Sequence, residues 1–98
     1  MDRQEAVAKM NAANAWLPGK RVKLDFGDGA IMLDGKANQV TDEDGPADTT
    51  LKASSDDWQA MFNGQLDGMT AFMQGKLKIE GDMSNAMQLQ GVFSKLRG

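Results

Sequence analysis

The sequence predicts an α+β fold in which helices cover one face of a five-stranded sheet that is mixed but mostly antiparallel. Five short segments read as strands, and the first of them, residues 20–26, alternates apolar and polar residues with the period of a strand. Four other segments repeat apolar residues at three- and four-residue spacing, which is the period of a helix. The 98 residues are too few for two ordinary domains, so we expect residues 1–98 to form one domain.

The chain begins with an alanine-rich segment, residues 2–16, which predicts a helix that ends before Pro18 and Gly19. Its apolar stripe consists of Ala6, Met10, Ala13 and Leu17. Because the stripe is mostly alanine, it offers little area to bury, and we expect this helix to pack weakly.

Strand-like alternation begins at Lys20. The predicted strands cover residues 20–26, 30–34, 36–41, 47–53 and 76–80. Gly27-Asp28-Gly29 between the first two is a hairpin turn, and the short loops among the first three predict an antiparallel meander. The polar residues 42–46 form a loop before the fourth strand. More than 20 residues separate the fourth and fifth strands, which leaves room for a crossover.

Two short helices and one longer helix occupy the second half of the chain. Ser54 is a predicted N-cap for the first short helix, which ends at Asn63-Gly64. Asp67 is a predicted N-cap for the second, which ends at Gly75. The last helix is predicted from Met83 to Leu96.

The composition excludes several functional classes. The net charge is −3, and the basic residues are scattered, which argues against nucleic acid and allows only a transient membrane contact. The chain has no cysteine, histidine or tyrosine, so disulfides, thiolate metal sites and the commonest acid–base group are absent. We therefore expect no cofactor and a cytoplasmic location.

One acidic cluster resembles a cation site at first sight. Asp42, Glu43 and Asp44 are consecutive, whereas the ligands of a calcium loop alternate with other residues. We interpret the cluster as a solvated turn and expect no metal.

Two segments resemble the sterol carrier protein 2 family. Residues 71–89 read AFMQGKLKIEGDMSNAMQL, and residues 47–66 read ADTTLKASSDDWQAMFNGQL. They match the family's patterns in the right order and spacing, and the resemblance covers roughly residues 20–96. It implies an apolar tunnel between sheet and helices that binds sterols, fatty acids, fatty acyl-CoA or phospholipids without catalysis.

The chain departs from the family pattern at both ends. The first helix is shorter and richer in alanine than usual, so one wall of the tunnel is expected to differ. The sequence ends in Lys95-Leu96-Arg97-Gly98 and lacks the peroxisomal tripeptide, which favours a free-standing bacterial protein.

The apolar helix faces have two interpretations, an ordinary core or the walls of a tunnel. Methionine and phenylalanine dominate these faces, in place of the leucine, isoleucine and valine that usually specify a tight core. Methionine in particular is flexible and adapts to irregular apolar shapes. Together with the resemblance, this composition favours tunnel walls. The resemblance also implies that Gln74, which precedes GKLKI, points its polar amide toward the ligand. Gln90 is interpreted equally well as facing solvent. The predicted ligand-binding residues are Trp58, Met61, Phe62, Leu66, Met69, Phe72, Met73, Gln74, Met83, Met87, Gln90, Phe93 and Leu96.

The leading hypothesis is a lipid carrier that binds, transfers or presents a lipid, as a monomer or weak dimer. The alternative is an interaction module whose apolar face docks onto a lipid-metabolising enzyme. An enzyme is disfavoured, because the serines lie at predicted helix caps or surfaces with no histidine to activate them.

Overall fold

A computed structural model describes residues 3–97 of the chain, without the side chains of residue 90 and residues 93–97. The elements, in chain order, are α1 (Arg3–Ala12), β1 (Arg21–Asp25), β2 (Ala30–Asp34), β3 (Gln39–Thr41), β4 (Thr49–Lys52), α2 (Ser55–Phe62), α3 (Gly68–Met73), β5 (Lys78–Gly81) and α4 (Met83–Arg97). This order confirms the α+β fold class predicted from the sequence.

The five strands form one sheet in the order β3-β2-β1-β4-β5. Strands β1, β2 and β3 form the predicted antiparallel meander, with Leu24 opposite Ile31 and Leu33 opposite Val40. The single parallel pair among the described strands is β1 with β4, and β5 then pairs antiparallel with β4. The segment between the last two strands is therefore not a crossover, although it is long enough to be one. Helices α2 and α3 return the chain to the same end of the sheet.

The crossover lies instead between β3 and β4, and it is only the seven residues 42–48 long. Those two strands run in the same direction on either side of β2 and β1, so the segment crosses the sheet. Lys23, on the face opposite the buried Val22 and Leu24, donates from Nζ to Asp44 Oδ1 at 2.9 Å and to the Gly45 carbonyl oxygen at 3.0 Å. The acidic loop is thus a strap across the outer face of the sheet.

Helix α1 is held more firmly than its alanine stripe predicts. Ala6 and Met10 are fully buried, while Ala13 is exposed beyond the end of the helix. The side chain of Asn11 also pairs with the backbone of Val40 on β3, donating to its carbonyl oxygen and accepting from its N–H, both at 2.7 Å. This amide clamp supplies attachment that apolar area alone does not.

Strands β3 and β5 begin later than the sequence pattern predicts, because other groups bind the backbone N–H groups just before them. The N–H groups of Lys36 and Ala37 donate to Asp34 Oδ1 in a turn, so β3 begins only at Gln39. The N–H groups of Lys76 and Leu77 donate to the carbonyl oxygen of Ala71. Strand β5 therefore begins at Lys78.

The predicted helix caps are confirmed. Ser54 Oγ accepts from the N–H of Asp57, and Asp67 accepts from the N–H groups of Met69 and Thr70. These caps satisfy free donors at the starts of α2 and α3. Both helices, with α4, lie on the inner face of the sheet, and the hydrophobic core lies between them.

Candidate functional site

An apolar cavity of about 170 Å³ lies between the sheet and helices α2, α3 and α4. Its volume is close to that of an engineered cavity of about 150 Å³ that stays dry and binds benzene. The lining consists of Leu51, Trp58, Met61, Gly68, Met69, Phe72, Leu77, Ile79, Met83, Ala86 and Met87. None of these side chains is ionisable or carries a hydroxyl or thiol group, so the cavity is suited to hold apolar molecules.

The floor of the cavity is formed where β4 and β5 pair. Leu51 is directly opposite Ile79 in the antiparallel register, and Leu77 lies just before β5. These three residues were missing from the predicted site, which was restricted to helix faces. The signal that could have found them is the strand pattern, because Leu51 lies at an apolar position of the predicted strand 47–53 and Leu77 and Ile79 are the apolar positions of strand 76–80.

The wall next to the floor is aromatic and firmly fixed. The Trp58 indole is fully buried and stacks on Phe26, with ring centroids 5.3 Å apart, and on Phe62 at 5.8 Å. The guanidinium of Arg3 lies 5.8 Å from the centroid of the Phe26 ring, so helix α1 supports this wall from behind. Phe62 backs Trp58 and is not part of the lining.

Four lining residues are also open to solvent and form the mouth of the cavity. On α3, Met69 is 42% exposed and Phe72 is 38% exposed. On α4, Met83 is 46% exposed and Met87 is 63% exposed. We call Met69, Met83 and Met87 the methionine rim, because these residues line the cavity and are also exposed to solvent.

Six of the predicted site residues line the cavity, and four do not. The six are Trp58, Met61, Met69, Phe72, Met83 and Met87. Phe62 and Leu66 pack against the core, and Met73 is 80% exposed. Gln74 is exposed and caps the end of α3 through its backbone N–H. The side chains of Gln90, Phe93 and Leu96 lie outside the described residues.

A buried polar cluster holds the start of α4 over the cavity. Thr49 Oγ1 donates to the carbonyl oxygen of Asp82 at 2.8 Å and accepts from Asn85 Nδ2 at 3.0 Å. Thr49 and Asn85 are both almost fully buried. Because buried hydrogen bonds are specific in geometry, they set where Met83 and Met87 lie relative to the floor.

Among the side chains that the structure describes, those that line the cavity all come from one uninterrupted stretch of the chain, residues 51–87. The meander β1–β3 and helix α1 contribute to the core but not to the lining. The sequence therefore separates into a supporting part and a cavity-forming part.

None of the helices within residues 3–97 is long and apolar enough to cross a bilayer. In the same part of the chain, no three acidic, histidine or cysteine side chains are grouped as metal ligands.

Comparison with known proteins supplies the family. Residues 2–94 match the model of the SCP-2 sterol transfer family. Sterol carrier protein 2 from Bos taurus is 41% identical over 61 residues, which are 62% of this chain and 11% of the relative. The chain thus spans about a tenth of the length of the curated relatives it matches.

Solved structures share the fold. The solution structure of sterol carrier protein 2 from Aedes aegypti in complex with the C16 fatty acid palmitate has a TM-score of 0.77 and 20% identity, covering 96% of this chain and 97% of the other. A sec-alkylsulfatase from Pseudomonas matches with a TM-score of 0.60 and 23% identity, covering 81% of this chain but 13% of the enzyme.

The fold therefore occurs both as a protein of this size and as a small part of a larger enzyme. Since the family model matches nearly the whole sequence, the chain belongs to the SCP-2 sterol transfer family.

Proposed function

We propose that the chain binds the apolar part of a lipid in this cavity and transfers or presents it, without catalysing a reaction. The observation that carries the proposal is an apolar cavity, free of titratable groups, that opens to solvent through the methionine rim. The Aedes aegypti neighbour is a complex with palmitate, which supports a fatty acid as one such lipid.

Burial of the lipid supplies the affinity. Each methylene transferred from water contributes about 0.8 kcal/mol, so twelve would contribute about 10 kcal/mol before the cost of immobilisation is subtracted. The cavity of about 170 Å³ holds only a short part of a long acyl chain. The rest must either lie across the rim or enter as α3 and α4 move apart.

The residues that we propose as ligand contacts follow from this geometry. They are the residues that line the cavity, which include Leu51, Leu77 and Ile79 of the sheet floor. The proposal does not depend on Gln74, whose side chain is exposed at the end of α3. Sterols, fatty acids, fatty acyl-CoA and phospholipids all remain within the proposed ligand class.

A second candidate is a docking module for a lipid-metabolising enzyme. The observation that favours it is the exposed apolar rim, together with the occurrence of the fold within larger enzymes. In that case the purified protein would carry no lipid, and the rim would be covered by protein.

The proposal extends to setting and assembly on the basis of composition. We propose a cytoplasmic bacterial protein that acts as a monomer or weak dimer and touches membranes transiently. The lack of cysteine suits the cytoplasm, and the scattered charges and the net charge of −3 suit a transient membrane contact.

The test is lipid binding by the purified protein. Native mass spectrometry after gentle purification is expected to show copurified lipid, and a fluorescent fatty acid or a fluorescent sterol is expected to bind at micromolar concentration. If no lipid copurifies and both probes fail to bind, the carrier function is wrong.

A matched pair of variants locates the binding. Ala86→Phe adds a ring at a buried position of the lining and is expected to weaken binding at least tenfold, a loss of roughly 1.4 kcal/mol. Met73→Phe adds a ring on the same side of the molecule but outside the lining, and is expected to leave binding unchanged. Thermal melts of both show whether the fold survives, and equal effects of the two on binding would remove the cavity as the site.

A further inference from the structure

The methionines within residues 3–97 occupy two distinct environments, one buried and one exposed. Met10 and Met32 are 1% exposed, one on each face of the sheet, and Met61 is buried in the lining. The three residues of the methionine rim are instead exposed while still lining the cavity. Met73 is more exposed than any of them but lies outside the lining.

Methionine is the apolar side chain whose polarity changes most in a mild oxidant. The thioether sulfur attacks the outer oxygen of a hydroperoxide, an S–O bond forms, the O–O bond breaks, and water or an alcohol leaves after proton transfer. The sulfur is oxidised by two electrons and the hydroperoxide is reduced by two. The product, methionine sulfoxide, is polar, and reductases return it to methionine.

We propose that Met69, Met83 and Met87 are sites of reversible oxidation by hydroperoxides, and that their oxidation closes the cavity to lipid. The inference rests on the proposed lipid binding and adds a regulation to the same site. The mouth has Met69 on α3 and the other two on α4, so sulfoxides arise on both helices that a lipid must pass.

The geometry makes the effect local to binding. Met83 and Met87 are four residues apart on α4 and therefore share a face, which is the face toward the cavity. A sulfoxide there can stay solvated in the empty protein because the residues are exposed. A bound lipid would cover it and strip its water, and an uncompensated polar group against an acyl chain opposes binding. Oxidation thus leaves the fold intact and acts on affinity.

The first experiment maps the oxidised residues. The full chain is treated with hydrogen peroxide, with and without palmitate, and each methionine is followed over time by peptide mass spectrometry. The rim residues and Met73 are expected to oxidise before Met10 and Met32. Palmitate is expected to slow oxidation of the rim several-fold and to leave Met73 unchanged. Equal rates at the rim with and without palmitate, in protein shown to bind it, would overturn the proposal.

The second experiment measures binding before and after oxidation. Peroxide treatment is expected to weaken binding of a fluorescent fatty acid by roughly tenfold or more, and methionine sulfoxide reductases are expected to restore it. A variant with leucine at all three rim positions is compared with its own untreated sample, and its affinity is expected not to change on treatment. Met73→Leu, the matched control, is expected to respond to peroxide as the unaltered chain does.

The outcomes separate the two proposals. Failure of the untreated chain to bind any lipid probe overturns the proposed function itself. Normal binding before oxidation with unchanged affinity afterwards overturns only the oxidation proposal. Loss of binding in the rim variant on peroxide treatment, as large as in the unaltered chain, also overturns it, because the responsible sulfur would then lie elsewhere.

Discussion

The indole Nε1 of Trp58 donates a hydrogen bond to the backbone carbonyl oxygen of Asp25 at 2.9 Å, which joins helix α2 to the end of strand β1. Trp58 also lines the cavity and stacks on Phe26. One side chain therefore contacts both the supporting sheet and the proposed ligand site. Mutation can remove its hydrogen bond while an aromatic ring is kept.

Trp58→Phe removes the hydrogen bond and keeps an aromatic ring. The Asp25 carbonyl oxygen still accepts from the Ala53 N–H at 3.2 Å, so no backbone group is left unpaired. We expect the free energy of unfolding to fall by about 1 kcal/mol from the lost bond, with a further loss from the smaller ring. Urea denaturation followed by far-UV circular dichroism measures it, and a stability equal to that of the unaltered chain would show that the bond contributes nothing.

Tryptophan emission should report ligand binding from one position only. The chain has two tryptophans, of which Trp58 lines the cavity and Trp16 does not. A fatty acid in the cavity is expected to change the emission of the unaltered chain and of Trp16→Phe. The change should disappear in Trp58→Phe, and its persistence there would place the lipid away from the indole.

Thr49→Val tests the polar cluster at the start of α4. The change leaves the buried Asn85 amide without the Thr49 Oγ1 acceptor and is expected to cost about 1–3 kcal/mol of stability. Combining it with Asn85→Leu should cost less than the sum of the two single changes, because the removed groups are partners. Chemical denaturation of all four proteins gives the coupling, and strict additivity would contradict the shared bond.

Gly81→Ala and Gly75→Ala separate backbone strain from steric overlap. Both glycines have positive φ, +91° and +77°, so each substitution is expected to cost about 1–2 kcal/mol from conformation alone. At Gly81 a Cβ would also overlap the carbonyl oxygen of Asp48, whereas nothing lies near Gly75. We expect Gly81→Ala to be worse by about 1–3 kcal/mol, and equal thermal shifts in the two variants would contradict the close approach of β5 to Asp48.

Asp34 links stability to acid pH. The backbone N–H of Ala37 is the largest cause that lowers the pKa of this carboxyl. Burial acts in the opposite direction and raises the pKa, whereas the N–H of Lys36 and the Arg21 guanidinium lower it further. Because the folded pKa lies below the ordinary value of 3.8, the stabilisation is fully present above that value and is lost as the pH falls through the folded pKa.

Asp34→Asn removes this titration while keeping an oxygen that can accept from the turn. The loss of stability below about pH 4 is expected to be shallower in the variant than in the unaltered chain. Urea midpoints between pH 2 and 7 test the difference. Parallel curves over that range would show that Asp34 does not contribute to acid unfolding.

The sequence predicted best those elements whose ends carry capping or turn residues. The Ser54 and Asp67 caps, the hairpin between β1 and β2, and the start of α4 at Met83 all follow from nearby residues. The strap across the sheet could not be predicted in this way, because the sequence of a seven-residue loop does not indicate how the two strands that it connects are placed in the sheet.

The cavity was predicted less completely than the fold for a related reason. Helix α3 has only six residues, and it buries Ala71 rather than its larger side chains. Fewer than two turns cannot define a face by periodicity, so tertiary packing alone decides that Met69 and Phe72 line the cavity and Met73 does not. The floor from β4 and β5 depends on strand pairing between residues far apart in sequence, which local patterns do not specify.

The uninterrupted stretch that lines the cavity has a consequence for how such proteins diverge. A single recombination event spanning residues 51–87 would exchange all of the described lining residues at once. The receiving chain would keep its α1–β3 scaffold, its Asn11 clamp and the strap. If the cavity holds the lipid as proposed, ligand preference would be inherited largely as one segment, and chimaeras joined at the strap would transfer it between relatives.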